Sequence, residues 1–381
     1  MDPIVIVGSG LAGYSLAREL RKLDRESPLV MVSADDGSFY SKPNLSNALA
    51  AGKTPAQLVG ASAEAMAQQL GAEILTQTRV TAIDPAGRKL RLSGGELRYS
   101  RLALALGADP IRLPLGGDAA EEVFSVNDLA DYARLRERLD GRCRIAILGA
   151  GLIGCEFAND LATAGHAVEV IDIAMQPLGR LLPPEAGAAM RQALADTGIG
   201  WHLGHTAQAV RRTASGLEIH FADGGTVGAD LVLSAVGLRP RTGLARSAGL
   251  AINRGIVVDR LLETSAAGIY ALGDCAEVES HVLPFVMPIM HAARTLAATL
   301  AGRPQPVSYP AMPVVVKTPA LPAVVCPPAP GRAGTWSIEG DARNLSARFV
   351  DSDGTMLGFA LTGDACSKRQ AWVREMPPLL P

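Results

Sequence analysis

The sequence predicts the α/β class: two three-layer units around parallel sheets, followed by a small α+β C-terminal domain. A strand, a glycine-rich turn and the start of a helix occur twice, as IVIVGSGLAG at residues 4–13 and IAILGAGLIGCE at residues 145–156. Such a distant repeat indicates a duplicated domain rather than a short-period array. After residue 303 prolines cluster around short runs such as PVVVKTP and PAVVCPP, which are typical of strands in a separate domain.

The first unit begins with an apolar strand at residues 4–7 and continues into an amphipathic helix pattern, YSLARELRKL, and a second strand, PLVMVS. The glycines between strand and helix follow the G-x-G-x-x-G spacing: Gly8, Gly10 and Gly13. In such a loop the first glycine allows a tight turn, the second lets a pyrophosphate approach the backbone, and the third lets the helix pack on the strand. The free N–H groups at the helix start favour phosphate. The unit therefore predicts a Rossmann-like dinucleotide-binding domain.

The second unit repeats this order, and its loop glycines are Gly149, Gly151 and Gly154. Its second strand, AVEVID, ends in Asp172, where an acidic residue usually binds a ribose hydroxyl. No Arg or Lys occurs at 173–176 to neutralise a 2′-phosphate, so we expect NADH rather than NADPH. In the first unit the corresponding position is Ser33, with Asp35 just beyond. Two sites in one chain predict FAD at the first and NADH at the second, with hydride transfer between them.

A third motif supports the flavin. Residues 268–277 read GIYALGDCAE, an apolar strand that runs into Gly273 and Asp274. The carboxylate of Asp274 is placed to accept a hydrogen bond from the ribityl chain of FAD.

Composition excludes several other functions. The chain of 381 residues has a formal net charge of −2, which gives no bulk attraction for nucleic acid, and no apolar run is long enough for a transmembrane helix. Five scattered cysteines without a C-x-x-C pair argue against a metal site or a disulfide framework. We expect a cytoplasmic protein with neither metal nor membrane insertion.

These motifs resemble the flavoprotein disulfide reductase-like family with two dinucleotide sites, over residues 1 to about 302. The chain is more similar still to the rubredoxin reductases, including those that reduce flavorubredoxin. That resemblance is carried by SADDGSFYSKPNLS, GAGLIGCEFANDL, VGLRPRTGLARSAGLAINRGIVVD, ALGDCAEV, LPFVMPIM and VVVKTPALP. It implies an FAD domain split into 1–108 and 237–303, an NAD domain at 109–236 and a C-terminal domain at 304–381.

The resemblance also implies site residues. Those expected around the FAD pyrophosphate and adenosine are Gly8, Gly10, Leu11, Ala12, Gly13, Ser33, Ala34, Asp35 and, through its backbone, Val80. Those expected at the ribityl chain and flavin ring are Asp274, Val286 and Lys317, and Lys42 is expected to reach either the FAD phosphate or the flavin edge. Gly237 and Gly273 are further expected cofactor-binding residues. Those expected at NADH are Gly149, Gly151, Gly154, Asp172 and Glu156, the last lying beside both nicotinamide and flavin. Lys317, and second Lys42, are the expected cations that tune the flavin.

Two departures from related proteins matter. Ferredoxin-reductase relatives often have a lysine after P-x-L-S, whereas this chain has Asn47, so a lysine partner for Glu156 must be Lys42 or Lys317, or be absent. Disulfide reductases carry a redox cysteine in the region that reads YSKPNLSNAL here, yet residues 1–142 contain no cysteine. Electrons must therefore leave the flavin directly, which favours a protein carrier.

The expected activity is electron transfer from NADH through FAD to rubredoxin or flavorubredoxin, as in alkane hydroxylation or detoxification of oxygen or nitric oxide. Two alternatives stay open at this point. One is a reductase for a [2Fe–2S] ferredoxin or the flavoprotein arm of a nitrite reductase. The other is a non-catalytic FAD/NAD-binding redox sensor.

Overall fold

The computed structural model describes residues 1–381. The first part of the chain forms a parallel sheet, helices and a small meander: β1 (Ile4–Val7), α1 (Leu11–Leu23), β2 (Leu29–Val32), β3 (Phe39–Tyr40), α2 (Pro55–Leu58), β4 (Val59–Ala61), α3 (Ala63–Leu70), β5 (Glu73–Leu75), β6 (Val80–Asp84), β7 (Lys89–Leu92), β8 (Gly95–Arg98), β9 (Arg101–Leu104) and β10 (Ala108–Pro110). A 3-10 helix spans Lys42–Asn47.

The second part repeats this arrangement: α4 (Leu129–Arg138), β11 (Arg144–Leu148), α5 (Leu152–Thr163), β12 (Ala167–Asp172), α6 (Pro184–Ala195), β13 (Gly200–Leu203), β14 (Ala207–Thr213), β15 (Gly216–Phe221), β16 (Thr226–Ala229) and β17 (Leu231–Ser234). The chain then returns through β18 (Leu238–Pro240), α7 (Gly243–Ser247), β19 (Ile256–Val258), β20 (Ile269–Ala271), β21 (Ala276–Val278) and α8 (Val286–Leu300). The C-terminal part contains β22 (Val314–Val316), β23 (Ala323–Cys326), β24 (Thr335–Glu339), β25 (Ser346–Val350), β26 (Met356–Thr362) and α9 (Arg369–Glu375).

The topology is that of two dinucleotide-binding domains. The first sheet is parallel with the order β20-β9-β1-β2-β5, so its last strand is supplied by the segment that follows the second unit. The second sheet is parallel with the order β13-β12-β11-β17. Each carries an antiparallel three-stranded meander, β6-β7-β8 and β14-β15-β16. The predicted fold class is confirmed.

Two short strands mark where the chain passes between the units. β10 pairs antiparallel with β18, and Asp109 is opposite Arg239. The outgoing and the returning chain are therefore joined at one place. The predicted domain limits, 1–108 with 237–303, 109–236 and 304–381, stay a proposal, for which this paired crossing is the structural support.

The C-terminal domain is a five-stranded antiparallel sheet with the order β22-β23-β26-β25-β24. One of its faces shares an apolar core with the second unit, where Val325 and Ala360 belong to the same cluster as Met190 of α6. Its other face is covered by α9 through Trp372. The domain is thus packed firmly beside the second unit.

The sequence pattern predicted the first two strands and the intervening helix of each unit, but it missed several other helices. α8 was not among the elements predicted above and spans Val286–Leu300. Hydrophobic periodicity did not predict α6, because its alanine- and glycine-rich segment, PEAGAAMRQALA, carries only a weak apolar stripe. No helix combines the length and the low polarity that crossing a bilayer requires.

Candidate functional site

The first glycine loop is shaped by backbone contacts. Gly8 has a φ of +115°, and a Cβ there would lie 2.2 Å from the carbonyl oxygen of Ala105. A Cβ on Gly13 would lie 1.9 Å from the carbonyl oxygen of Gly8, so helix α1 can approach β1 only at a glycine. A Cβ on Gly10 would meet no atom within 4 Å. Gly10 is also the N-cap of α1 without a side-chain cap, so the helix N–H groups are open to an anion.

The second loop has the same geometry. Gly149 has a φ of +106°, and its Cβ would lie 2.7 Å from the carbonyl oxygen of Ala235. A Cβ on Gly154 would lie 1.9 Å from the carbonyl oxygen of Gly149, whereas Gly151 again faces open space at the uncapped start of α5. Both loops therefore fit a pyrophosphate group. In each loop two glycines are needed because a Cβ would clash with a neighbouring carbonyl oxygen, and the third leaves room for the ligand.

One cleft of about 2610 Å³ joins the two loops. A single small-molecule site typically takes about 300–1,000 Å³, so this cleft has room for two dinucleotides. Most of the predicted site residues line it: Gly8, Gly10, Leu11, Ala12, Ser33, Ala34, Asp35, Lys42, Val80, Gly149, Gly151, Glu156, Asp172, Gly237, Asp274, Val286 and Lys317. Three others do not line it and act in packing instead: Gly13, Gly154 and Gly273.

The ends of the two second strands differ chemically. Ser33 is buried, and its hydroxyl donates to the Asp35 carboxylate, which also accepts from the hydroxyl of Ser9 at 3.2 Å and from the N–H of Gly37 at 2.9 Å. In the second unit the Asp172 carboxylate accepts from the N–H of Ala150 in the glycine loop and from another backbone N–H. Each unit thus has one hydrogen-bonded carboxylate at or just after the end of its second strand, but in the first unit it comes two positions later in the chain.

The side chain of Glu156 is fully buried and joins three parts of the chain. Its Oε2 accepts from the hydroxyl of Ser46 at 2.5 Å and lies 3.0 Å from Nζ of Lys317. Its Oε1 accepts from the backbone N–H of Lys317 at 3.0 Å. A buried carboxylate needs such partners, because the loss of hydration costs several kcal/mol per ion. Of the two candidate lysines, the structure pairs Lys317 with Glu156.

Asn47 positions the Lys317 ammonium group beside Glu156. Its Oδ1 accepts from Nζ of Lys317 at 2.9 Å, and its Nδ2 donates to the carbonyl oxygen of Lys317 at 2.8 Å. The positive charge near Glu156 therefore comes from the C-terminal domain, and an amide on the first domain positions it.

Sequence reasoning missed two further residues of this junction. Asn159 and Asp160 follow Glu156 on the same face of α5 and are both buried. The Asp160 carboxylate accepts from the N–H of Leu49 at 2.9 Å and the amide oxygen of Asn159 accepts from the N–H of Ala320 at 3.1 Å. Polar residues spaced i, i+3 and i+4 in an apolar helix were the available signal.

Lys42 and Asp274 form a second charged group in the cleft. Nζ of Lys42 donates to Oδ1 of Asn127 at 2.6 Å and belongs to no ion pair. Burial lowers the pKa of Lys42, and the nearby Asp274 carboxylate opposes that shift. Burial likewise raises the pKa of Asp274, opposed by Lys42. Unlike Lys317, Lys42 brings a charge that no carboxylate neutralises by direct contact.

The cysteines next to the cofactor motifs do not provide a thiol relay. Cys155 and Cys275 are fully buried, and burial raises the pKa of both thiols, that of Cys275 to about 11. All five cysteines are free. A thiolate is the reactive form, so these side chains act as small apolar groups.

The glycine loops generate the first prediction. We expect Gly13→Ala to lower the melting temperature of the FAD-free protein, because the new methyl group meets the Gly8 carbonyl. Gly10→Ala should leave that melting temperature unchanged, since its Cβ enters open space, but should weaken FAD retention. Thermal unfolding and the flavin absorbance after desalting measure the two effects. Equal retention of FAD in wild type and Gly10→Ala would contradict this role of the loop.

The ion pair between Lys317 and Glu156 generates the second prediction. Breaking a buried pair from one side costs about 3–5 kcal/mol, and solvent screening at the one-third exposed Lys317 reduces this, so we expect Lys317→Met to cost about 2 kcal/mol of unfolding free energy. Adding Glu156→Gln should restore much of the loss, because no unpaired charge then remains. Lys42→Met is the matched control without an ion pair. Glu156→Gln alone completes the cycle. Denaturant unfolding of the five proteins (the wild type, the two single variants, the double variant and the Lys42→Met control) checks this, and additive losses from the two single variants would contradict the coupling.

Comparison with known proteins agrees with this geometry. Residues 2–297 match the family model of the pyridine nucleotide-disulphide oxidoreductases, and residues 306–376 match that of the rubredoxin binding C-terminal domain. The chain is 50% identical to a rubredoxin-NAD(+) reductase of Alcanivorax borkumensis, over 100% of both chains. It is 38% identical to a nitric oxide reductase FlRd-NAD(+) reductase of Aeromonas salmonicida, over 98% of this chain and 96% of that one.

A solved structure is similar throughout. The reductase in the covalent putidaredoxin reductase–putidaredoxin complex superposes with a TM-score of 0.89 and 27% identity, covering 97% of this chain and 92% of that chain. The resemblance inferred from the motifs is confirmed. The chain belongs to the pyridine nucleotide-disulphide oxidoreductase family, among members that carry a rubredoxin binding C-terminal domain.

Proposed function

We propose that this chain is an FAD-dependent reductase that transfers electrons from NADH to rubredoxin. The observation that carries the proposal is the single cleft, which is lined by both glycine loops and by residues of the C-terminal domain, among them Val315, Lys317 and Arg369. A hydride donor, a flavin and a docked carrier can therefore meet in one space. The relatives named above, at 50% and 38% identity over nearly the whole chain, support the same class of acceptor.

When bound, FAD supplies the ability to take a hydride from NADH and to release the two electrons one at a time. The chain binds and orients the reactants. The uncapped helix starts at Gly10 and Gly151 receive the two pyrophosphates, and Asp35 and Asp172 lie at the ribose ends. Each NADH oxidised should reduce two one-electron carriers and release one proton.

The two lysines have different proposed roles. Lys317 is held by Glu156 and Asn47, so its charge is largely balanced and it positions the C-terminal domain beside the cleft. Lys42 faces the cleft without an ion pair and supplies net positive potential near the flavin. We therefore rank Lys42 ahead of Lys317 as the tuning cation, which reverses the order expected from the sequence.

Rubredoxin is the proposed acceptor, and flavorubredoxin is the alternative favoured by the Aeromonas relative. A ferredoxin reductase shares the fold and the cofactor loops. The choice of rubredoxin over ferredoxin as the proposed acceptor therefore rests on the C-terminal domain. We propose a cytoplasmic location, where NADH is available and five free cysteines stay reduced.

The test of function is anaerobic reduction of oxidised rubredoxin by NADH, with a [2Fe–2S] ferredoxin at equal concentration alongside. We expect rubredoxin to be reduced at least about 10-fold faster, with two carriers reduced per NADH consumed. Faster reduction of ferredoxin would overturn the acceptor but leave the cofactor sites. A flavin that NADH does not bleach, or that forms only a long-lived complex, would indicate the sensor instead.

Nucleotide choice is a separate prediction. The Asp172 carboxylate at the ribose end should repel a 2′-phosphate, so we expect kcat/KM for NADH to exceed that for NADPH by about 100-fold. Asp172→Ala with Ile173→Arg should reverse or abolish the preference. Asp172→Asn is the control, because it removes the charge and retains an acceptor for the N–H of Ala150. Equal use of both nucleotides by the wild type would contradict this role.

A further inference from the structure

The two dinucleotide units correspond residue by residue in their backbone hydrogen bonds. The N–H of Gly8 bonds the carbonyl of Val32, as that of Gly149 bonds Ile171. The same correspondence continues to the loop after the third strand of each unit, where the N–H of Thr78 bonds the carbonyl of Ser33 and that of His205 bonds the carbonyl of Asp172. The segment 205–207 of the second unit therefore occupies the place that 78–80 occupies in the first.

That segment lies where the adenine of NADH must be. The glycine loop receives the pyrophosphate and Asp172 marks the adenosine ribose, so the base attached to that ribose extends beyond the end of β12. β13 is the neighbouring strand there, with Leu203 in register with Asp172. His205, Thr206 and Ala207 follow β13 and line the cleft.

His205 is the one aromatic side chain of this segment, and its ring is held in place. It stacks on Phe221 at a centroid distance of 5.0 Å and an interplanar angle of 28°. Its Nδ1 bonds Oδ2 of Asp223 at 2.7 Å. Phe221 is buried and does not line the cleft, whereas His205 does, so the imidazole lies between Phe221 and the cleft.

A second side chain points to a flat apolar ligand at the same place. Met175 lines the cleft and is 76% exposed, unusual for a large apolar residue. Its sulfur lies close to the backbone just before His205, since a Cβ on Gly204 would be 2.8 Å from it. A polarizable thioether and a fixed aromatic ring thus flank one edge of the cleft.

We propose that His205, fixed by Phe221 and Asp223, is the stacking platform for the adenine of NADH, with Met175 as its apolar neighbour. The inference rests on the proposed use of NADH and adds a residue that determines affinity for the adenosine half of the nucleotide. His205 contributes binding through the base and takes no part in hydride transfer.

Calorimetric titration of the oxidised FAD-loaded protein tests this with two nucleotide fragments. ADP-ribose carries the adenine and both phosphates, whereas nicotinamide mononucleotide carries no adenine. Stacking of a base on an aromatic ring typically changes affinity by about 5- to 150-fold on alanine substitution. We expect His205→Ala to raise the Kd of ADP-ribose by about 5- to 10-fold, near the lower end for a small ring, and to leave that of the mononucleotide unchanged. His205→Phe should restore the affinity.

His202→Ala is the matched control. His202 is next to His205 at a ring distance of 6.4 Å and bonds Glu169 at 2.9 Å, but it does not line the cleft. In turnover, His205→Ala should raise KM for NADH with kcat unchanged. Equal losses for both fragments, or the same loss in His202→Ala, would overturn the proposal by showing a structural effect. An unchanged ADP-ribose Kd would also overturn it, whereas failure of NADH to bleach the wild-type flavin would instead reject the proposed function.

Discussion

The placement of the three domains depends on one buried carboxylate, that of Glu156. It is fully shielded from water, so its charge is tolerable only with the donors that surround it: a hydroxyl from Ser46 on the first domain, and a backbone N–H and an ammonium from Lys317 on the C-terminal domain. Helix α5, which carries Glu156, begins at the glycine loop of the second domain. The glycine loop therefore leads directly into the helix that carries the domain junction.

The same junction fixes a cation of the C-terminal domain from the first domain. Asn47 bonds both the side chain and the backbone of Lys317, so the cation beside Glu156 is delivered by the C-terminal domain. Since Lys317 is balanced by Glu156, Lys42 is the lysine of the cleft that has no ion pair. The two lysines thus differ in their surroundings: Lys317 belongs to the buried junction, whereas Lys42 bonds the amide of Asn127.

The two glycine loops pack in the same way, but the side chains that follow the second strand differ between the two units. In both units two glycines are required by carbonyl oxygens within 3 Å of the missing Cβ, and a third faces the cleft. After the second strand, the carboxylate of Asp35 in the first unit accepts hydrogen bonds from the hydroxyls of Ser9 and Ser33. The carboxylate of Asp172 in the second unit accepts from the backbone and has no such side-chain partner. Backbone geometry is constrained by hard contacts, whereas the side chains at the strand ends are free to diverge toward different nucleotides.

The sequence by itself determined the two strand–glycine–helix units, the acidic residue at Asp172 and the absence of a redox thiol before residue 143, because these are local patterns in which neighbouring residues carry the information. Only the tertiary structure decided which lysine pairs with Glu156 and that Asn159 and Asp160 belong to the junction. Those contacts join residues more than 100 positions apart, and burial, which makes each bond necessary, arises only when the domains pack together.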